Sequence, residues 1–191
     1  DRVSLVALVL TGAALIRERE RGTIEHLLVM PITPFEIMVS KIWSMGIVTI
    51  LGTALALVFI VEGVLGTPIQ GSRALFLFTG GLNLASMTSM GILLATFSRS
   101  MPQFALLVIL VLFPLQMLSG GATPRESMPE LVQNIMLLAP TTHYTAASQA
   151  ILFRGAGIDI IWPQLIAIVV IGAVFFVVAH ARFRNTLARL G

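Results

Sequence analysis

Cysteine is absent from the 191 residues, so within this chain disulfides, thiolate metal sites and cysteine nucleophiles are excluded and the redox compartment goes unread. Charge is scarce as well. Asp, Glu, Lys and Arg make up 11% of the sequence, against about a quarter in soluble domains. The only lysine, Lys41, follows Val39-Ser40 rather than a glycine loop, and no GxxxxGK[ST] stretch occurs, so the chain has no P-loop to hold ATP. HExxH and GxSxG are missing too, which disfavours an enzyme. His26, His143 and His180 lie far apart with few carboxylates near them, so no metal site is expected. The pI of about 10.6 reflects a net charge of only +3 with no basic stripe interleaved with aromatics, which argues against nucleic acid as a partner.

What the chain has in excess is oil. Hydrophobic residues make up 57% of it and the mean hydropathy is +0.96, the composition of a membrane protein. Four intervals carry no charge at all: Ile42 to Val61, Ala74 to Phe97, Met101 to Pro124 and Ile160 to Ala181. Each reaches the roughly 20 residues that a helix needs to cross a ~30 Å hydrocarbon core, and Pro114 makes the third the least regular. Because no Asp or Glu falls at mid-membrane, a proton-coupled carrier is disfavoured. Val3 to Ile16 is apolar but covers only about 21 Å as a helix, and there is no initiator Met. The chain therefore reads as a fragment that begins just before or within a helix.

Joining the spans in order sorts the cations into two sets. Arg17, Arg19, Arg21, Lys41, Arg99, Arg182, Arg184 and Arg189 fall on one side, against Arg2, Arg73, Arg125 and Arg154 on the other. Positive loops stay cytoplasmic, so the first set, with the C-terminal tail, is expected in the cytosol. Trp43 and Trp162 begin spans on opposite faces, where indoles favour the headgroup boundary, although two ordinarily packed tryptophans would read the same. His180, near the cytoplasmic end of the last span, is expected to complement that helix's dipole.

The densest charge is in RERERGTIEHLLVMP, Arg17 to Pro31. RERER continues the first helix out of the membrane with opposite charges three residues apart, and Gly22 ends it. Thr23 can cap a short helix with Glu25 in its first turn and with Ile24, Leu27 and Leu28 on one face, stopped by Pro31. Thr33-Pro34-Phe35-Glu36 is a capping box that starts the next helix, which runs through Lys41 into the membrane. So short an amphipathic helix needs a cover for its apolar face, either headgroups or a protein. Glu25 and His26 stand where interfacial helices carry Lys and Arg, which argues for protein.

RERERGTIEHLLVMPITPFEI resembles the cytoplasmic hairpin of ABC-2-type transporter permeases, in the multidrug-efflux-like branch, over about twenty positions. In that family the hairpin forms the coupling helix that seats in a groove of the ATPase subunit. The resemblance gives the coupling role to Glu18, Glu20, Gly22, Thr23, Glu25, Leu27, Leu28 and Pro31 within a hairpin over 17–41.

From 119 to 157 the chain is too apolar for a solvated loop and too interrupted to cross. Ser127 to Glu130 reads as a second capping box, followed by Leu131, Ile135 and Leu138 at helical spacing, with a further piece from Tyr144 to Phe153 closed by Arg154 and Gly155. Broken helices at membrane depth suit a lid or pore mouth, or a hairpin lying on the surface of the bundle. This segment also resembles the family's re-entrant hairpin before the final span, on Ser119-Gly120, Met128-Pro129 and Pro140-Thr141, which take an outward-gate role by that likeness. Asn83, Ser86, Met87 and Met90 recur on one helical face that could line a route for cargo, as could Gln116 beside Pro114. Small and polar residues also serve to hold helices together, and Ala85-xxx-Ser89 and Gly91-xxx-Ala95 fit that use.

These readings converge on an all-α, polytopic transmembrane bundle over 1–191, with a cytoplasmic coupling helix and a re-entrant outward-facing hairpin. The resemblance covers nearly the whole chain; what departs is the front, where the family's first span and, in the drug-export branch, a sizeable extracytoplasmic domain are missing from this sequence. It implies a permease subunit in the bacterial inner membrane with a cytoplasmic C-terminus, exporting a hydrophobic or amphipathic substrate. It also implies a separate ATP-binding cassette ATPase that holds ATP and Mg, and a second permease subunit, identical or paralogous. No cofactor is expected in the chain itself. A non-transporting assembly subunit, or an ion-driven carrier or channel, is the alternative.

Overall fold

The computed structural model describes residues 2–20, 33–56, 59, 71–121 and 127–187. Among these the chain is helical: α1 (Arg2–Glu20), α2 (Pro34–Ala56), α3 (Arg73–Phe97), α4 (Met101–Leu118), α5 (Glu130–Met136), α6 (Pro140–Arg154) and α7 (Ile158–Leu187). The all-α bundle expected from the composition is what the structure shows. Phe35–Ala56, Arg73–Phe97, Met101–Leu118 and Ile158–Arg184 are long and apolar enough to cross a bilayer, and they contain most of the four charge-free intervals.

α3 is the axis. Its buried residues run from Phe76 to Ala95, and α7 and α1 lie most extensively along it, with α2, α6 and α4 adding smaller contacts. Lipid tails are as apolar as leucine, so helices in a bilayer associate through close packing and hydrogen bonds rather than through water exclusion. α3 supplies both. At Gly91 an added Cβ would come 2.5 Å from the Leu8 carbonyl oxygen of α1, and at Gly172 of α7 it would collide with the Ser86 hydroxyl. The two helices that flank α3 therefore approach it at backbone distance. Leu8, Ile16, Met38, Met87, Ile92, Phe104 and Phe183 make one core around α3, and Phe76, Ala147, Ile151, Ile161 and Leu165 a second toward the opposite end.

The outer surfaces of α2, α4 and α7 are apolar as well, with Val48, Leu51, Ile109, Phe113, Val170 and Val177 all exposed. Trp43 and Trp162 are 71% and 55% exposed, so neither is a packed core tryptophan.

Two local expectations need correction. His180 does not lie in the last turn of its helix, because α7 runs on to Leu187 and carries Arg184 there. The dipole's influence fades within one turn, and the His180 ring instead meets Phe35 of α2, edge-on with centroids 6.2 Å apart. Ser127 to Glu130 is not the capping box of α5. That helix starts at Glu130 with Pro129 as its N-cap, and Gln133 donates its side-chain N–H to the Met128 carbonyl at 2.9 Å. A box begun at Ser127 would put Met128 in helical conformation immediately before a proline, which the proline ring disfavours.

Candidate functional site

Two ends of the bundle carry the residues singled out by the sequence. At one end lie the C-terminus of α1, the N-terminus of α2, the α3–α4 turn and the end of α7. At the other lie the end of α4, the start of α7 and the α5–α6 hairpin.

The first end is held by specific contacts between the helix tips. α1 continues as a helix through RERE, as the charge pattern predicted. Glu18 Oε1 accepts from Lys41 Nζ at 2.5 Å, tying α1 to α2. Glu20 Oε1 accepts the Met101 backbone N–H at 2.9 Å, tying α1 to the first residue of α4. The Thr33–Glu36 box is formed in full: Thr33 N–H donates to Glu36 Oε2 at 2.7 Å, and Glu36 N–H donates to Thr33 Oγ1 at 3.3 Å. Phe35 meets Phe176 of α7 in an edge-on contact with centroids 5.6 Å apart, and the Arg182 guanidinium of α7 stands 3.9 Å over the Phe97 ring at the end of α3. All five long helices thus join one polar and aromatic collar. None of these cross-helix pairings could be read in the sequence, because each joins residues from helices that only the fold brings together. Gly22, Thr23, Glu25, Leu27, Leu28 and Pro31, the remaining coupling residues, lie outside the described residues.

In mid-bundle, Asn83, Ser86, Met87 and Met90 are all buried, from 0% to 6% exposed. Asn83 Nδ2 donates to Ser4 Oγ of α1 at 3.1 Å, and Ser86 Oγ donates to the Ile168 carbonyl of α7 at 2.8 Å. Within one chain this face of α3 is joined to both neighbours, which is the packing use of such residues. Gln116 is half-buried on α4, near the second end and on another helix.

At the second end, α4 closes with Ser119, which is buried and donates its hydroxyl to the Gln116 carbonyl at 3.3 Å. Gly120 follows with a φ of 89°, a left-handed conformation that favours glycine. Met128 is buried and Pro129 caps α5. α5 ends at Met136, and Pro140 opens α6 at the first helical turn, where a missing N–H is harmless; Thr141 beside it is buried. α6 ends as expected, with Gly155 left-handed (φ 63°) and the Ala156 N–H returning to the Ala150 carbonyl at 3.0 Å. Its Ile151 packs against Gly71 just before α3, while Tyr144 lies by Gly80, so Pro140 is the deep end of α6 and Arg154 the shallow one. At ~1.5 Å per residue the hairpin dips about 10 Å below the start of α3.

A cavity of about 130 Å³ opens beside that hairpin, among α1, α2, α3 and α6. Its wall mixes hydroxyl groups from Ser4, Thr49, Thr53 and Tyr144 with apolar Phe76 and Leu84, and it contains no charged residue. The sequence held one trace of it, the four-residue spacing of Thr49 and Thr53. Among the described residues no cluster of three or more His, Asp or Glu side chains could hold a metal ion.

The chain is similar in sequence to known membrane permeases. The sequence pattern of the family described as "ABC-2 type transporter" matches residues 3–153. The chain is 60% identical over 190 residues to the "Inner membrane transport permease YhhJ" of Escherichia coli (strain K12), covering 100% of this chain and 51% of that protein. It is 32% identical over 180 residues to the "Probable multidrug ABC transporter permease YbhR" of the same strain, covering 93% and 48%, and 30% identical over 179 residues to YbhS, which bears the same description, covering 92% and 46%. The chain spans about half the length of these relatives. With a family match across most of its length and membrane-length helices in the matching bundle, the chain belongs to the ABC-2 type transporter permease family.

Proposed function

We propose that the chain is the membrane-embedded part of an ATP-driven export permease of the bacterial inner membrane, worked by a separate ATP-binding cassette ATPase that binds ATP and Mg, and paired with a second permease subunit. The observation that carries this reading is the bracing on either side of the charged hairpin. α1 and α2 project as formed helices to Glu20 and Thr33, joined by the Glu18–Lys41 ion pair, with the capping box closing the start of α2, so whatever moves the segment between them moves two spans together. A loop serving only as a connection has no need of stiff, cross-tied roots.

In this mechanism nucleotide binding closes the ATPase subunits, their grooves drag the segment 23–30, α1 and α2 tilt, and the α5–α6 hairpin opens outward. The uncharged cavity and the apolar bundle suit a hydrophobic or amphipathic cargo. The excess of cations at the collar end agrees with a cytoplasmic hairpin and C-terminus. A nucleotide can shift such an equilibrium only by binding its two states with different affinity, which docking to the hairpin supplies.

The test is charge reversal at the hairpin in the full-length permease with its ATPase, reconstituted in liposomes. Glu25→Lys is expected to uncouple hydrolysis from efflux of an amphipathic dye while the membrane fold is retained. Unchanged dye-stimulated hydrolysis in that variant would contradict the docking role.

A further inference from the structure

α4 begins without a cap of its own. Its N-cap residue, Ser100, makes no side-chain capping hydrogen bond, and its first turn holds no acidic residue. The first N–H groups of a helix have no partner inside it, and the positive end of the helix dipole lies there. The first of these N–H groups and the dipole find their partner on another helix. The Glu20 carboxylate, the last residue of α1, accepts the Met101 N–H at 2.9 Å. Residues 20 and 101 are far apart in sequence, and the bond between them joins α1, at the root of the hairpin, directly to the start of α4.

We infer that Glu20 is a positioning residue that carries hairpin movement into α4 by capping it in trans. α2 needs no such link, being continuous with the hairpin. α4 is connected to it in sequence only through α2, α3 and their turns; in space α4 meets α1 through this charge-assisted bond at its first residue and, further along, through the apolar packing of Phe104 against Gly12. What α4 then moves is specific: it ends in the Ser119–Gly121 turn, and Gly121 lies against Thr145 of α6. A displacement entering at Met101 therefore leaves at the foot of the re-entrant hairpin.

The inference rests on the proposed ATPase coupling, and the experiment separates the two. In the full-length permease with its ATPase in nanodiscs, with any other cysteine replaced, spin labels are placed at Val48→Cys on α2 or Met117→Cys on α4, both exposed. Mobility is compared without nucleotide and with ATP and vanadate. In the otherwise unchanged protein both labels are expected to respond. Glu20→Ala should cut the α4 response by about five-fold or more while leaving the α2 response in place, and Glu20→Gln, which keeps an acceptor, should restore it. Met101→Pro removes the donor together with a side chain packed against the core; Ser100 is already extended as a residue before proline must be, so Met101→Pro should reproduce the loss with nothing further added by Glu20→Ala, whereas Met101→Ala, which keeps the N–H, should retain the α4 response. An α4 response that survives Glu20→Ala or Met101→Pro, or a Glu20→Gln variant as defective as Glu20→Ala, overturns the positioning role alone. Absence of any nucleotide response at Val48 in the unmodified protein overturns the coupling reading and this inference with it.

Discussion

At the scale of single residues, most of the polar groups that look functional in the sequence are engaged inside the chain. Asn83 and Ser86 sit at helical spacing on an otherwise apolar span, a pattern that serves cargo and packing equally well. Three-dimensional partners favour packing: Ser4 accepts the Asn83 side-chain N–H and the Ile168 carbonyl the Ser86 hydroxyl, with Met87 and Met90 buried beside them, while Asn83 Oδ1 is buried without a hydrogen-bond partner. Asn83→Leu is accordingly expected to lower bundle stability by about 1–2 kcal/mol in detergent unfolding, with the dye selectivity of the reconstituted permease unchanged. A selectivity change at unaltered stability would place Asn83 on the path instead. Glu18 and Glu20 follow the same logic, since a carboxylate in a charge run is legible from sequence but the Lys41 amine and the Met101 amide that it meets are not.

At the scale of elements, local chemistry was read well where one segment determines its own shape and poorly where a proline changes the rule. The Thr33–Glu36 box forms because Pro34 falls at the first helical position, where its fixed φ helps. Ser127–Glu130 fails because Pro129 stands one position further along and restricts Met128. Thr33→Ala should therefore fray the start of α2 by about 0.5–2 kcal/mol, seen as faster amide exchange at Glu36 and Ile37, whereas Ser127→Ala should leave exchange in α5 unaffected; the reverse result would contradict these assignments. Helix crossings are the part hidden from sequence. Gly91 reads only as a small residue in a small-residue motif, but a Cβ there would meet the α1 backbone. Gly91→Leu is expected to push α1 from α3 and destabilise the bundle by about 1–3 kcal/mol or more, while Gly52→Leu, at a position with open space around it, should be tolerated in the same unfolding assay.

At the scale of the whole molecule, charge-free intervals alone gave the membrane spans, because hydrocarbon admits so few alternatives that length and polarity nearly decide the fold. They could not rank the spans, and it took the structure to identify α3 as the axis around which the others pack. Nor could they show that the two ends of the bundle differ in kind. One is a collar in which ion pair, cap and ring contacts bind the five long helices together; the other is a dipping hairpin beside an uncharged cavity. The proposed lever would use that asymmetry, with the collar to receive force and the hairpin end to open. The most direct measurement is a site-specific photo-crosslink from position 27, Leu27 replaced by a photoreactive residue, in the full-length permease within native membranes. The account predicts a crosslink to an ATP-binding cassette ATPase subunit that strengthens or weakens with nucleotide. A crosslink to phospholipid alone, unchanged by nucleotide, would contradict it.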